Sequence, residues 1–225
     1  MININNLLVI APHIDDETLG CGGTLLKLKK LKKKISMILV SEADGYTHDK
    51  KILIKKEEQV QKVKKIYKFN NFIRLGFPSS QIYKIDEKEL ITKFDGIIKK
   101  IKPDTIIMPF INDVHSDHRI ISNVLQSCVK IFRKKYVKTI LFCEIISETD
   151  HSLSSSINGN FNPNLFIDVS KEFKKKIEIF KIFKTENGKH PFPRSLESLT
   201  SLLKYRGSQC NCNYAEAFMI ARTID

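Results

Sequence analysis

The residues able to do chemistry fall in two short stretches. The first, VIAPHIDDETLGCGGTL from Val9 to Leu25, places His13 beside the consecutive acids Asp15, Asp16 and Glu17. The second, FINDVHSDHR from Phe110 to Arg119, carries His115, Asp117 and His118. Half of the chain's six histidines therefore sit in these two segments. Imidazoles and carboxylates form the ligand set of a catalytic zinc ion, with three protein ligands leaving the fourth position to water. His13 and Asp16 from the first stretch and His118 from the second complete such a set. Successive side chains diverge, so Asp15 and Asp16 cannot easily share one ion. Asp16 as ligand leaves Asp15 to act as general base on a water attacking a carbonyl carbon, zinc having brought that water's pKa toward ~7. The resulting oxyanion needs a partner, and His115, with Asp117 to orient or charge it, can serve; His115 as a fourth ligand is the alternative.

Each residue alone has a plainer explanation. Asp or Ser at a strand end commonly caps a helix, so Ser116 and Asp117 could cap the one they precede, and the acidic triple could favour a helix's positive end. Two clusters at matching strand ends are harder to explain as caps. Two histidines and one carboxylate would also suit a non-haem iron(II) oxygenase, which needs no base beside the metal as Asp15 would be. The glycines Gly20 to Gly23 lack the G-x-G-x-x-G spacing of a dinucleotide site; close helix–strand packing accounts for them better.

The elements that must position these residues alternate. Leu7 to Ala11, Ile35 to Ser41, Phe72 to Leu75, Thr105 to Pro109 and Thr139 to Glu144 read as strands. Helical patterns run over Gly22 to Lys33, Lys50 to Tyr67, Glu87 to Lys100 and Asp117 to Lys134, with Leu25, Leu28 and Leu31 on one face. Repeated β-α units predict an α/β, Rossmann-like, mostly parallel sheet with helices on both faces. After a polar run, Ser152 to Asn164, come a short strand (Leu165 to Val169), a Lys-rich helix, a helix near Leu196 to Tyr205, and Ala215 to Ala221 as an edge strand. In such sheets ligands bind beyond the carboxyl ends of strands where strand order reverses. If the first and fourth strands are neighbours, the two chemical stretches face each other. HPFPR, His190 to Arg194, is a candidate wall for the pocket.

At 225 residues and 42% hydrophobic content, one domain over residues 1–225 is expected. No segment approaches the ~20 apolar residues of a membrane span and no leader-like start is present, so a cytoplasmic protein is expected. Five cysteines, an odd number without paired metal-type spacing, read as reduced thiols. The net charge of +13 raises a non-enzymatic reading, a basic domain for nucleic acid or acidic lipid. The lysines are spread over nearly every predicted helix and lack interleaved aromatics, which argues against nucleic acid.

With both stretches in view, the sequence resembles the PIG-L/LmbE-like zinc-dependent N-acetylglucosaminyl deacetylases. APHIDDE is similar to their A-H-P-D-D-E motif in register from His13 onward, with Ile14 where proline is favoured, and H-x-D-H is intact at His115 to His118. LGFPS (Leu75 to Ser79), FIDVSKEFKKK (Phe166 to Lys176) and YRGSQCNCNYAEAF (Tyr205 to Phe218) resemble further family segments. The resemblance implies hydrolysis of the acetamide of an N-acetylated amino sugar such as an N-acetylglucosamine conjugate. It places Zn2+ on His13, Asp16 and His118, the base at Asp15, and oxyanion support at His115 with Asp117 behind it. Two departures concern the sugar. The family's acidic turn reads Ser41, Glu42, Ala43, Asp44, so Asp44 would hold the sugar with a shorter reach. The family's arginine in R-x-x-E is replaced by Lys55 before Glu58, and lysine is a point charge where arginine is a fork.

Overall fold

The computed structural model describes residues 3–43, 49–153 and 159–225. Its elements, in chain order, are β1 (Asn6–Ala11), α1 (Asp16–Lys30), β2 (Lys34–Glu42), α2 (Lys50–Tyr67), β3 (Asn71–Pro78), α3 (Glu87–Ile101), β4 (Thr105–Pro109), α4 (Ser116–Cys128), β5 (Thr139–Cys143), β6 (Leu165–Asp168), α5 (Phe173–Phe180), α6 (Leu196–Ser208) and β7 (Ala215–Arg222), with a short 3₁₀ turn at Ile82–Lys84. The strands form one sheet in the order β3-β2-β1-β4-β5-β7-β6. The first five are parallel, and β7 runs antiparallel to both neighbours.

The central strands are apolar on both faces because helices cover both. Along β1, Leu7 and Val9 enter one cluster with Leu25, Phe180 and Leu203 from α1, α5 and α6. Leu8 and Ile10 enter the opposite cluster with Phe94 and Leu125 from α3 and α4. That alternation is the period-2 geometry of a strand. α3 shows the helical counterpart: Leu90, Phe94 and Ile98 are buried at four-residue spacing, Asp86 caps its start by accepting from Glu89 N–H, and Lys102 in the left-handed region ends it.

Three boundaries differ from the sequence expectation. The last strand is interior: β7 pairs with β5 on one side and β6 on the other, so β6 is the edge. An antiparallel strand's place depends on long-range pairing, which a hydropathy pattern does not encode. α4 stops at Cys128, where the chain turns so that Val129 and Val137 join the core and buried Lys134 meets Asp95. α1 begins at Asp16, six residues before the expected Gly22, and is broken by non-helical backbone at Cys21. All five cysteines are free thiols, three of them buried. Among the described residues no helix is long and apolar enough to cross a membrane.

Candidate active site

β1 lies between β2 and β4, and both pairings are parallel. The chain leaves β1 toward β2 and leaves β4 toward β5, so strand order reverses there and a crevice opens at the strands' carboxyl ends. Pro12 to Asp15 fill the start of this crevice after β1. Phe110 to His115 enter it after β4.

Asp15 stands at the N-cap of α1, yet its side chain makes no capping bond, and its backbone adopts φ 150°, a conformation side chains rarely occupy. Strain of this kind persists where the surroundings over-determine it. The carboxylate goes instead to Arg194, whose Nη1 donates to Asp15 Oδ2 at 2.9 Å. One residue later the chain is helical, which turns Asp16 toward the two histidines. Asp16 Oδ2 lies 3.4 Å from His13 Nδ1 and 3.3 Å from His118 Nε2, and those two nitrogens are 3.3 Å apart. Ligand atoms of His13, Asp16 and His118 all lie within 4.8 Å of one another. Asp16 and His118 are buried, and Asp16 Oδ1 has no hydrogen-bond partner among the described residues.

The outer nitrogens of both histidines are held by carboxylates. His13 Nε2 meets Asp117 Oδ2 at 3.1 Å, and His118 Nδ1 meets Asp113 Oδ2 at 2.8 Å. Asp113 is fixed in turn by the Thr149 hydroxyl at 2.7 Å, and Asp117 accepts from Ser80 N–H at 2.7 Å. A carboxylate behind each imidazole sets its tautomer and leaves the inner nitrogen a lone pair for a cation. Asp16 Oδ2 and these two nitrogens, 3.3 to 3.4 Å from one another, therefore fit a tetrahedral divalent metal with one position left over. His13, His115 and Asp117 form a second convergent group. There Asp117 already has three partners, so the Asp16 set suits a metal better.

Without a cation the cluster holds protons. Burial alone would depress both histidines. Hydrogen bonds to Asp117 and Asp16 nonetheless raise His13 to about 9, and the charges of Asp16 and Asp113 raise His118 to about 10. Burial pushes Asp15 up to about 7 against the opposing pull of Arg194. Burial, then the neighbouring His13 and His118, push His115 down to about 4.

His115 is the N-cap of α4, with its Nδ1 accepting from Asp117 N–H at 3.1 Å. Asp117 thus orients His115 through its backbone N–H, while its carboxylate bonds His13. Its charge favours a protonated His115 but does not offset the burial and the neighbouring histidines that oppose it. Capping falls to His115 itself rather than to Ser116 or Asp117.

A cavity of about 650 Å³ opens over Asp15, His13 and His115, walled by Ser41 and Glu42 of β2, α2, Arg74 of β3 and Arg194. Lys55 is exposed and is not among the described residues that line this cavity. The buried stripe of α2 runs through Val60, Val63 and Tyr67, and helical spacing puts Lys56, not Lys55, on that side. Asp44 lies outside the described residues. The arginine facing the cavity is Arg74, from a strand, where it donates to both Glu42 and Glu57. Asp113 was visible in FINDVHSDHR, five residues before His118. Arg74 carried no motif.

The family model of PIG-L, described as GlcNAc-PI de-N-acetylase, matches residues 8–129, which span both chemical stretches. Diacetylchitobiose deacetylase of Thermococcus kodakarensis is 22% identical over 231 residues, 95% of this chain and 82% of that protein. The crystal structure of the conserved protein TT1542 from Thermus thermophilus superposes with a TM-score of 0.77 at 22% identity, covering 99% of this chain and 97% of that one. GalB, the 4-carboxy-2-hydroxymuconate hydratase of Pseudomonas putida, gives 0.72 at 13% identity and 97% of each chain, so the fold alone does not select the reaction. The match through both loops does more than the fold: this chain belongs to the PIG-L family and is an N-deacetylase, a hydrolase of amide C–N bonds.

Proposed function

We propose that this protein hydrolyses the acetamide of an N-acetylated amino sugar, an N-acetylglucosamine conjugate, with Zn2+ held by His13, Asp16 and His118. The observation that carries the reading is the convergence of His13 Nδ1, His118 Nε2 and Asp16 Oδ2 at 3.3 to 3.4 Å from one another, with Asp15 beside them on the cavity wall. A zinc ion bound there would acidify water and polarise the acetamide carbonyl. Asp15 takes the proton of the attacking water as its oxygen joins the carbonyl carbon, and returns it to the nitrogen as the C–N bond breaks. Arg194 fixes the carboxylate's direction throughout. His115 is a neutral donor rather than a positive partner: with Nδ1 accepting from Asp117, the ring proton sits on Nε2, available to the developing oxyanion. Acetate and a free amino sugar leave.

The sugar class rests on the family and on Thermococcus kodakarensis diacetylchitobiose deacetylase. A panel of N-acetylglucosaminides assayed for released acetate, with and without a chelator, tests it. Chelator-sensitive release that zinc restores is expected. Release indifferent to chelation would remove the metal from the reaction, and none from any member would remove the substrate class.

A further inference from the structure

We infer that the cavity favours amino sugars whose group attached directly to the sugar is uncharged or cationic and discriminates against a phosphate borne on the sugar itself, through a wall built on Arg74, Glu42 and Glu57. The inference rests on the hydrolase reading above for the place of the acetamide. The molecule as a whole is strongly basic, at +13, so an anionic substrate would be the expectation from bulk charge. The cavity reverses that expectation, because each Lys or Arg among its described lining residues is already committed to a carboxylate. Arg74 donates through Nε to Glu42 at 2.8 Å, through Nη1 and Nη2 to Glu57 at 3.1 and 2.8 Å, and through Nη2 again to Glu42. A planar guanidinium gripped by two carboxylates leaves the trio with one net negative charge. Lys56 pairs with Glu186 at 3.0 Å. Arg194 is shared between Asp15 and Glu148 at 2.9 and 2.6 Å.

A phosphate entering this space would have to displace a carboxylate from a bidentate partner or sit beside it as a like charge, and either costs affinity. Sugar hydroxyls meet no such conflict, since carboxylate lone pairs not used by Arg74 can accept from them. An amine gains from the surplus acid.

The test compares kcat/KM for methyl N-acetylglucosaminide and for N-acetylglucosamine 1-phosphate with the zinc-loaded enzyme. The phosphate sugar is expected at least about tenfold lower, with the gap narrowing between about 0.05 and about 0.5 M salt as screening sets in. Glu57→Gln and Glu42→Gln each raise the ratio of phosphate to neutral turnover about threefold or more. Equal or faster turnover of the phosphate sugar by the unaltered enzyme, or a ratio unmoved in both variants, overturns the inference. Failure of the hydrolase reading shows separately, as no acetate from either sugar. Calorimetric binding of glucosamine 1-phosphate against methyl glucosaminide then decides the charge preference on its own.

Discussion

At the scale of single residues, two adjacent aspartates lie in opposite electrostatic settings. Asp16 is drawn well below the ordinary carboxylate range despite its burial, chiefly by His118 and then His13, and so is anionic, as the proposed ligand role requires. Asp15, faced by one arginine and otherwise buried, is pushed up toward neutrality. On the proposed roles, replacing Asp15 with Asn would keep the ligand set and remove the base. Zinc stoichiometry should stay near that of the unaltered enzyme while kcat falls roughly 10²–10⁴-fold. Loss of metal together with activity would instead place Asp15 among the ligands. The histidines allow a second measurement. With His13 at about 9 and His118 at about 10, the metal-free site is protonated at pH 7, and a cation must expel those protons. Zinc affinity should therefore rise with pH up to about 9–10, and titrations in buffers of different ionisation enthalpy should detect released protons near pH 7. A pH-independent affinity would contradict the carboxylate–imidazole pairing. Much of this cluster was legible, because His13, Asp16 and His118 lie within motifs whose spacing suits a metal. Arg74 and Arg194 were not legible as partners, since each meets its carboxylates across long sequence separations.

The element that carries the site, α1, is held open by a buried ion pair. The helix breaks at Cys21, leaving carbonyls of its first turn and N–H groups of its continuation without helical partners. Glu216 of β7 accepts from Gly23 and Thr24 N–H, both at 2.7 Å, and Lys176 of α5 donates to Leu19 carbonyl at 2.8 Å. The two side chains meet each other at 2.7 Å and are essentially sealed from solvent, 0% and 1% exposed. Each thus caps one side of the break in the helix that begins at Asp16. Gly23 is required here, because a Cβ would come within 2.8 Å of Val169. The glycine run was legible as close packing, but its partner was not. The YAEAF segment reads as a strand in sequence, and only the tertiary fold shows its glutamate inserted into a helix almost two hundred residues earlier. Glu216→Ala leaves Lys176 buried and unpaired, a change that costs about 3–5 kcal/mol. For a chain of this length that predicts a melting temperature lower by roughly 6–20 °C. Calorimetry of the metal-free protein reads it without interference from zinc. A shift within about 2 °C would mean the pair contributes nothing net.

The whole molecule joins a β-α alternation that hydropathy reveals to an antiparallel closure that it hides. The five parallel strands and their crossover helices follow from local pattern and short connections. The placement of the last sixty residues does not, because β7 reaches back to pair with both β5 and β6 across long stretches of chain, and β6 joins the sheet only through β7. β7 is nevertheless central to the assembly: it bridges β5 to β6, buries Ala215, Ala217 and Phe218, packs under α6 and supplies Glu216 to α1. Removing residues 215–225 would unpair one side of β5, strip β6 of its only described strand neighbour and strand Lys176 without its counter-ion. Loss of cooperative thermal unfolding and of zinc binding together is therefore expected, although both loops that carry the proposed ligands remain in the shortened chain. Were the truncated protein to melt in one sharp transition and bind zinc at full stoichiometry, the first five strands would form an autonomous unit. The C-terminal layer would then be an accessory to the site rather than its support.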